Sequence, residues 1–86
     1  MAEFGDVYQK IETTKQEVEL VVDSAGVMAE LLDELASAVG ALGFHARSAA
    51  CRSAAELARE AMSAAGGIVE KLDQVHAGTV YAQEQA

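Results

Sequence analysis

The residue types best suited to chemistry are scarce in this 86-residue chain, which has one cysteine, Cys51, and two histidines, His45 and His76. His45 and Cys51 lie six residues apart, so a helix does not place them on one face, and the pair predicts no metal site. We expect Cys51 to be a small apolar filler and His76 to lie on a helix surface. A single cysteine also excludes an intrachain disulfide.

No motif in the sequence predicts catalysis. The segment Gly40-Ala41-Leu42-Gly43 is not a phosphate loop, because no predicted strand precedes it and no Gly-Lys-Ser or Gly-Lys-Thr follows it. Neither a serine–histidine–acid set nor a pair of catalytic carboxylates can be assigned. We therefore expect no enzymatic activity, no cofactor and no metal, which leaves binding to other proteins as the expected function.

The composition is typical of long helices rather than of a sheet. Proline and tryptophan are absent, Phe and Tyr occur twice each, and Ala and Glu are abundant. We expect one all-α domain over residues 1–86. A chain of this length has little material for a core, so oligomerisation is the expected supplement.

Helix one is predicted at about residues 6–41 by an apolar series with alternating spacings of three and four. This average of 3.5 residues keeps one stripe of a helix facing a partner helix. The series comprises Phe4, Val7, Ile11, Thr14, Val18, Val21, Ala25, Met28, Leu32, Leu35, Val39 and Leu42. Asp6 is expected to cap the helix, with Gln9 completing a capping box.

A second apolar row widens this stripe in the middle of helix one. Leu20, Val27 and Leu31 form the row, and Val22 adds to it. A helix with two adjacent apolar faces contacts more than one neighbour, which favours a bundle over a two-stranded coiled coil. The residues expected to bind a partner are Val18, Leu20, Val22, Val27, Leu31, Leu32 and Leu35.

A turn is predicted at about residues 40–46. Gly43 suits the left-handed position just past a helix, with Phe44 folding back on Val39 as in a Schellman motif, and Gly40 belongs to the same turn. Because the link is short, helix two should return antiparallel. The predicted fold is therefore an antiparallel two-helix hairpin that assembles with a partner into a four-helix bundle.

Helix two, at about residues 46–84, is rich in alanine. Its predicted stripe comprises Ala46, Ala50, Ala54, Leu57, Ala61, Ala65, Ile68, Leu72, Val75, Thr79 and Ala82. Such a stripe would let the helices approach closely and would receive the larger side chains of helix one. Gly66-Gly67 is compatible with a break before a third helix, or with a continuous helix in which glycine admits a large neighbour. We favour the continuous helix.

The net charge is −8 and is unevenly placed, with −7 in residues 1–43 and −1 in residues 44–86. It argues against binding to nucleic acid or to an anionic membrane, and it fits either a basic partner or a solubilising acidic surface. No apolar run is long enough to span a bilayer, and no signal peptide is recognisable. We expect a protein made in the cytoplasm without membrane insertion, with export by a signal-independent route left open.

The layout of two helices about a glycine-containing turn resembles the Trp-X-Gly (WXG) family, the small helical substrates of type VII secretion. At the family's Trp-X-Gly position this chain has Leu42-Gly43-Phe44. Near the C-terminus, where many members carry Tyr-x-x-x-Asp/Glu, it has Tyr81 followed by Glu84, one position early. The resemblance implies a substrate, a heterodimer partner or an accessory protein that escorts a larger secreted toxin.

The resemblance also implies the partner and an export signal. The partner would be a second helical hairpin, in a hetero- or homodimer. Tyr81 and Glu84 would be the export handle, in a tail from Thr79 to Ala86 that need not be packed. The competing interpretation is a self-associating scaffold, antitoxin or adaptor unrelated to secretion, because its sequence would also be an amphipathic hairpin.

Overall fold

Two long helices joined by a short turn make up residues 3–86, the part of the chain that the structure describes. In the computed structural model, α1 spans Glu3–Ala41 and α2 spans His45–Gln85. α2 packs along α1, so the predicted all-α hairpin is confirmed, and the described residues contain no strand. The Cα positions extend over 66 × 15 × 12 Å, which makes the hairpin a rod two helices wide.

The start of α1 differs from the prediction. The helix already includes Glu3, so Asp6 lies inside its first turn rather than at the cap. The Asp6 carboxylate is 3.0 Å from the Lys10 ammonium one turn further on. The capping box with Gln9 is therefore wrong, although Glu3 and Asp6 still place negative charge where the helix dipole favours it.

The turn is a Schellman motif, as predicted. Gly43 has a φ of 89°, a left-handed conformation that favours glycine. Its amide donates to the carbonyl of Gly40 at 2.9 Å, and the amide of Phe44 donates to the carbonyl of Val39 at 3.1 Å. The reversal itself takes residues 42–44, inside the predicted 40–46.

The helices meet through a seam of mostly small residues. The buried members are Ile11, Val18, Ala25, Ala29 and Ala36 in α1, and Ala55, Ala58 and Ala65 in α2. Six of these eight are alanine, and no large side chain among residues 3–86 is fully buried. Small side chains let two helix backbones approach closely, so the alanines set the separation of the helices.

This seam includes Ile11, Val18 and Ala25 of the apolar series predicted for α1, but it is rotated away from the rest of that series. Val21, Met28 and Leu35 belong to that series, yet they are 52%, 52% and 48% exposed. Ala29 and Ala36, each one position further along than a member of the series, are buried instead. One residue turns a helix by about 100°, so choosing the alanines moves a whole row of large side chains out of the seam.

The stripe predicted for α2 is rotated as well. Leu57 and Ala61 of that stripe are exposed, whereas Ala55 and Ala58 outside it are buried. Ala65 is a member that does reach the seam. Most of the predicted stripe therefore lies beside the contact with α1 and not within it, because the close approach again selects the smallest side chains.

α2 continues through Gly66-Gly67, as favoured from the sequence. A Cβ atom added to either glycine would have open space around it. Apart from the neighbouring residues of α2, no atom lies within 4 Å. The sequence suggested that these glycines make room for a large neighbouring side chain. That explanation is wrong, because no such side chain lies against them. Both are exposed, and each costs the helix about 1 kcal/mol relative to alanine.

Two ion pairs tie the helices together along one side, which we call the ion-paired flank. The Lys15 ammonium lies 2.6 Å from an Asp73 carboxylate oxygen, and Arg59 pairs with Asp33. Arg59 and Asp73 are two heptads apart, so they occupy the same row of α2. The hydrogen bond to Asp73 raises the pKa of Lys15 above its ordinary value of 10.5.

Candidate partner-binding surface

Most of the large exposed apolar side chains lie on the side away from the ion-paired flank. Met28, for example, is five residues before Asp33, which places the two about 140° apart around α1. We call this side the apolar face, and it comprises Leu20, Val21, Val27, Met28, Leu31 and Leu35 of α1 with Leu57, Ile68 and Val75 of α2. Each of the nine is about half exposed or more.

A groove between the two helices runs along this face. Its larger part has a volume of about 600 Å³ and is lined mainly by apolar side chains, with Leu20, Met28 and Leu32 on the α1 side. The α2 side contributes Ala54, Leu57, Ala58 and Ala61. A smaller part continues the groove towards the chain termini, sharing Glu17 and Val21 with the larger and reaching Thr14 and Ile68.

The apolar face extends past the groove on α1. Leu20, Val27 and Leu31 are 59%, 57% and 57% exposed. Val27 and Leu31 line a shallow depression on the outer surface of α1, together with Met28 and Asp23. A helix lying in the groove would cover Met28 but would leave the outer row uncovered, so this surface has room for two helices.

The structure separates the residues predicted from the sequence to bind a partner into two groups. Leu20, Val27, Leu31 and Leu35 are on the apolar face. Val18 is buried between α1 and α2, and Val22 and Leu32 are half-buried; Val22 lines a depression beside the seam that also contains Gly66. Val18 therefore holds the hairpin together and is not exposed to a partner.

Sequence reasoning missed several residues of the apolar face. Val21 and Met28 were placed in the contact between the helices, and Leu57, Ile68 and Val75 were assigned to the stripe facing α1. The signal that could have found them is the alanine that follows Met28 by one residue and Leu35 by one residue. A row of alanines beside a row of large residues offers two seams, and only the alanine seam allows close approach.

The charges around the apolar face are mostly acidic. Glu17 lines the groove, and Asp23 borders the outer row. Glu60 is exposed and follows Leu57 by three residues, so it borders the groove from α2. Lys71 is the basic neighbour on α2, three residues after Ile68 and close to the chain termini.

The basic side chains are largely engaged within the hairpin. Four of the six have a contact of this kind, namely Lys10 with Asp6, Lys15 with Asp73, Arg59 with Asp33, and Arg47 over the ring of Phe44. By contrast, only three of the fourteen acidic side chains are ion-paired within residues 3–86. The charge that remains available to another molecule is therefore strongly negative.

The turn exposes apolar side chains at one end of the rod. Leu42 is 73% exposed and Phe44 is 47% exposed. The Arg47 guanidinium carbon lies 4.7 Å from the centroid of the Phe44 ring, within the range of a cation–π contact. Gly43 and Phe44, predicted as turn residues, thus form the reversal and its apolar tip.

The C-terminal tail is helical, as predicted, and it is packed, which the sequence did not require. α2 continues to Gln85, and Val80 is half-buried. The Tyr8 hydroxyl donates to Gln83 Oε1 at 2.7 Å, which ties the tail to the start of α1. Tyr81 is nevertheless 65% exposed, and Glu84 is exposed as well, so the two residues of the predicted handle lie on the surface of a packed helix.

The few residues suited to chemistry are dispersed. Cys51 is half-buried with a free thiol, His45 is exposed beside the turn, and the ring of exposed His76 lies 5.3 Å from the ring of Tyr8. No group of three potential metal ligands occurs within residues 3–86. Over the same range, neither helix combines the length and the apolar character needed to cross a membrane.

Comparison with protein-family models, with characterised proteins and with solved structures gives no match to this chain. The apolar face, its groove and the charges around them are therefore the features of the chain that bear on its function.

Proposed function

We propose that this protein is a non-enzymatic helical interaction protein whose apolar face packs against the helices of a protein partner. The observation that carries the proposal is the inverted distribution of side chains. Alanines are buried between α1 and α2, while nine large apolar side chains remain exposed together on one side. Contiguous apolar surface of this kind marks an interaction site on a water-soluble domain.

The energy available from this surface is similar in size to the cost of association. Full burial of one such side chain contributes about 1.5–3 kcal/mol, so the half-exposed side chains of the apolar face contribute about 1 kcal/mol each. The nine together give on the order of 10 kcal/mol, which is comparable with the cost of association of about 4–15 kcal/mol. Charges and hydrogen bonds at the border then decide how tightly, and with which partner, the hairpin pairs.

The width of the apolar face favours a partner with two helices. The groove accommodates one helix, and the outer row of Leu20, Val27 and Leu31 requires another. A second hairpin satisfies both and gives a four-helix bundle, the arrangement in which two-helix units cover each other.

The resemblance to the WXG family suggests the biological setting. We propose that the bundle is a substrate, or the escort of a larger toxin, in type VII secretion, with Tyr81 as part of the export handle. The exposure of Tyr81 supports this, because a handle must be accessible while the rest of α2 is packed. The alternative is a self-pairing scaffold without a role in secretion, and the following experiments distinguish it from a secreted substrate or escort.

Leu31→Glu tests the apolar face. Leu31 is 57% exposed, so the hairpin should still fold, while the buried charge should weaken assembly by about 2 kcal/mol or more. Ala77→Glu is the matched control, because Ala77 is exposed and follows Asp73 by four residues on the ion-paired flank. Light scattering of the chain alone, and co-expression with the products of neighbouring genes, measure assembly. Equal effects of the two substitutions would contradict the proposed surface.

Tyr81→Ala tests the proposed handle. A deletion of residues 80–86 would also remove Val80 and the Gln83 contact with Tyr8, so a point substitution is the cleaner probe. We expect Tyr81→Ala to retain partner binding and to lose export, whereas Gln85→Ala should retain both. Undiminished export of Tyr81→Ala would remove the handle, and a tight homodimer that ignores every neighbouring gene product would favour the scaffold.

A further inference from the structure

We infer that the occupant of the apolar face is a different helical protein, one whose apolar seam is bordered by lysine and arginine, and not a second copy of this chain. The inference rests on the proposed function and adds the chemistry of the partner. Three features carry it: the shape of the groove, the acids along its border and the internal engagement of the basic side chains.

The groove sets the size and the side chains of the partner helix. It runs along α1 from Thr14 to Leu32, which corresponds to about 27 Å and to a helix of about 18 residues. Its α2 side in the larger part consists of Ala54, Ala58 and Ala61, with Leu57 as the one large side chain. Small residues there leave space that only bulky side chains fill, so the partner must present leucine, methionine or aromatic residues at helical spacing.

The border sets the charge of the partner. Glu17 lies in the groove, Asp23 beside the outer row and Glu60 one turn from Leu57. A partner helix that enters the groove brings its own border positions against these carboxylates. Lysine and arginine there gain from complementary charge, while acids are repelled.

A second copy is a poor source of those cations, because Arg52 and Lys71 are its only basic side chains without an ion pair or a cation–π contact within residues 3–86. A two-fold interface uses the same surface on both copies, so a mostly acidic border would meet the equally acidic border of the other copy. The basic side chains are of little help, because Lys15 and Arg59 are already paired on the opposite flank. Lys71, which borders Ile68, lies near the termini and away from the wider part of the groove.

Two synthetic helical hairpins provide the direct test. They share one leucine seam and differ only at the positions bordering it, which are all lysine in one and all glutamate in the other. Fluorescence anisotropy with the full chain should show binding of the lysine hairpin about tenfold tighter or more at low salt. High salt should reduce the difference, because exposed charge pairs are screened. The variant carrying Glu17→Lys and Glu60→Lys should reverse the preference.

Controls separate this inference from the function on which it rests. Leu31→Glu keeps the acidic border but disrupts the apolar face, so it should bind neither hairpin tightly; undiminished binding would reveal mere charge attraction and overturn the inference. Equal binding of both hairpins would refute a basic partner while leaving the apolar face intact as a docking surface. A tight homodimer that binds neither synthetic hairpin would overturn the inference that the partner is a different protein. If neither hairpin binds and the chain remains monomeric, the proposed function itself would be overturned.

Discussion

The hydroxyl of Ser48 donates a 2.8 Å hydrogen bond to the carbonyl of Ala36, across the seam and close to the turn. The carbonyl belongs to the last turns of α1, and the hydroxyl to the first turn of α2. Gly40 lies beside this contact, and a Cβ built on it would approach Ser48 Oγ to 3.2 Å. The Ser48 side chain thus fixes the distance between α1 and α2 next to the turn.

Ser48→Ala should lower the free energy of unfolding by about 1 kcal/mol, because a part-buried hydrogen bond is lost. Urea denaturation at one fixed protein concentration measures the change, since association also contributes to stability. Ser53→Ala is the control: Ser53 is exposed on the same helix and should change the value by less than about 0.5 kcal/mol. Equal effects would show that the bond to Ala36 contributes nothing.

Gly40→Ala should couple to Ser48→Ala. Alone, it crowds the Ser48 hydroxyl and disturbs the bond to Ala36, which offsets the gain in helix propensity. In the Ser48→Ala background the crowding at Oγ is gone, so the alanine should be better tolerated by about 0.5–1 kcal/mol. A double-mutant cycle in urea gives this coupling directly, and strict additivity would contradict the contact.

Gly66→Ala and Gly67→Ala should each stabilise the monomeric hairpin by about 0.5–1 kcal/mol, because the helix gains propensity and nothing within the hairpin is displaced. Thermal unfolding followed by circular dichroism should show a higher midpoint for both. Gly43→Ala is the contrasting substitution, since its φ of 89° strains any other residue and should lower the midpoint. Destabilisation by Gly66→Ala would contradict the open space around this glycine.

Ala55→Leu should destabilise the hairpin by about 1–3 kcal/mol, because Ala55 is 0% exposed and the closely approached helices have no space for three more carbons. Ala49→Leu is the same substitution at an exposed site of α2 and should be nearly neutral. Chemical denaturation of both, compared with the parent, tests whether the seam is as tight as the structure indicates. Tolerance of leucine at residue 55 would contradict the alanine seam.

The ion pair of Lys15 with Asp73 should contribute an alkaline dependence of stability. The pKa of Lys15 is raised in the folded state, so its contribution is complete below the ordinary value of 10.5 and is lost as the pH rises through the higher folded value. Asp73→Asn should flatten this part of the pH profile of unfolding. Asp23→Asn, at an exposed carboxylate on the outer surface of α1, should leave it as in the parent.

The sequence predicted the architecture well because the relevant signals are local. Gly43 specifies the turn through its own backbone, and the lack of proline permits two uninterrupted helices. The choice of seam is not local. Met28 and its neighbour Ala29 each belong to a row of apolar residues along α1. Ala29 is the one that is buried, because α2 approaches closely, and the sequence of α1 alone does not specify that distance.

The candidate surface was therefore only partly predictable. Leu20, Val27 and Leu31 could be found from the sequence because they form a second row that no single partner helix can cover. Val18 was assigned to the same surface but is buried between α1 and α2. The ion pairs between the helices were also not predictable from the sequence, since Lys15 and Asp73 are 58 residues apart.

The alanine seam has a consequence for the life of the chain in a cell. Alanines offer little apolar area per residue, so we expect an unaccompanied hairpin to gain little from closing and to open often enough for proteases to reach its backbone. A partner that covers the apolar face binds only the closed form and suppresses opening by mass action. The abundance of this protein would then follow the supply of its partner, and molecules made in excess would be removed without a dedicated regulator.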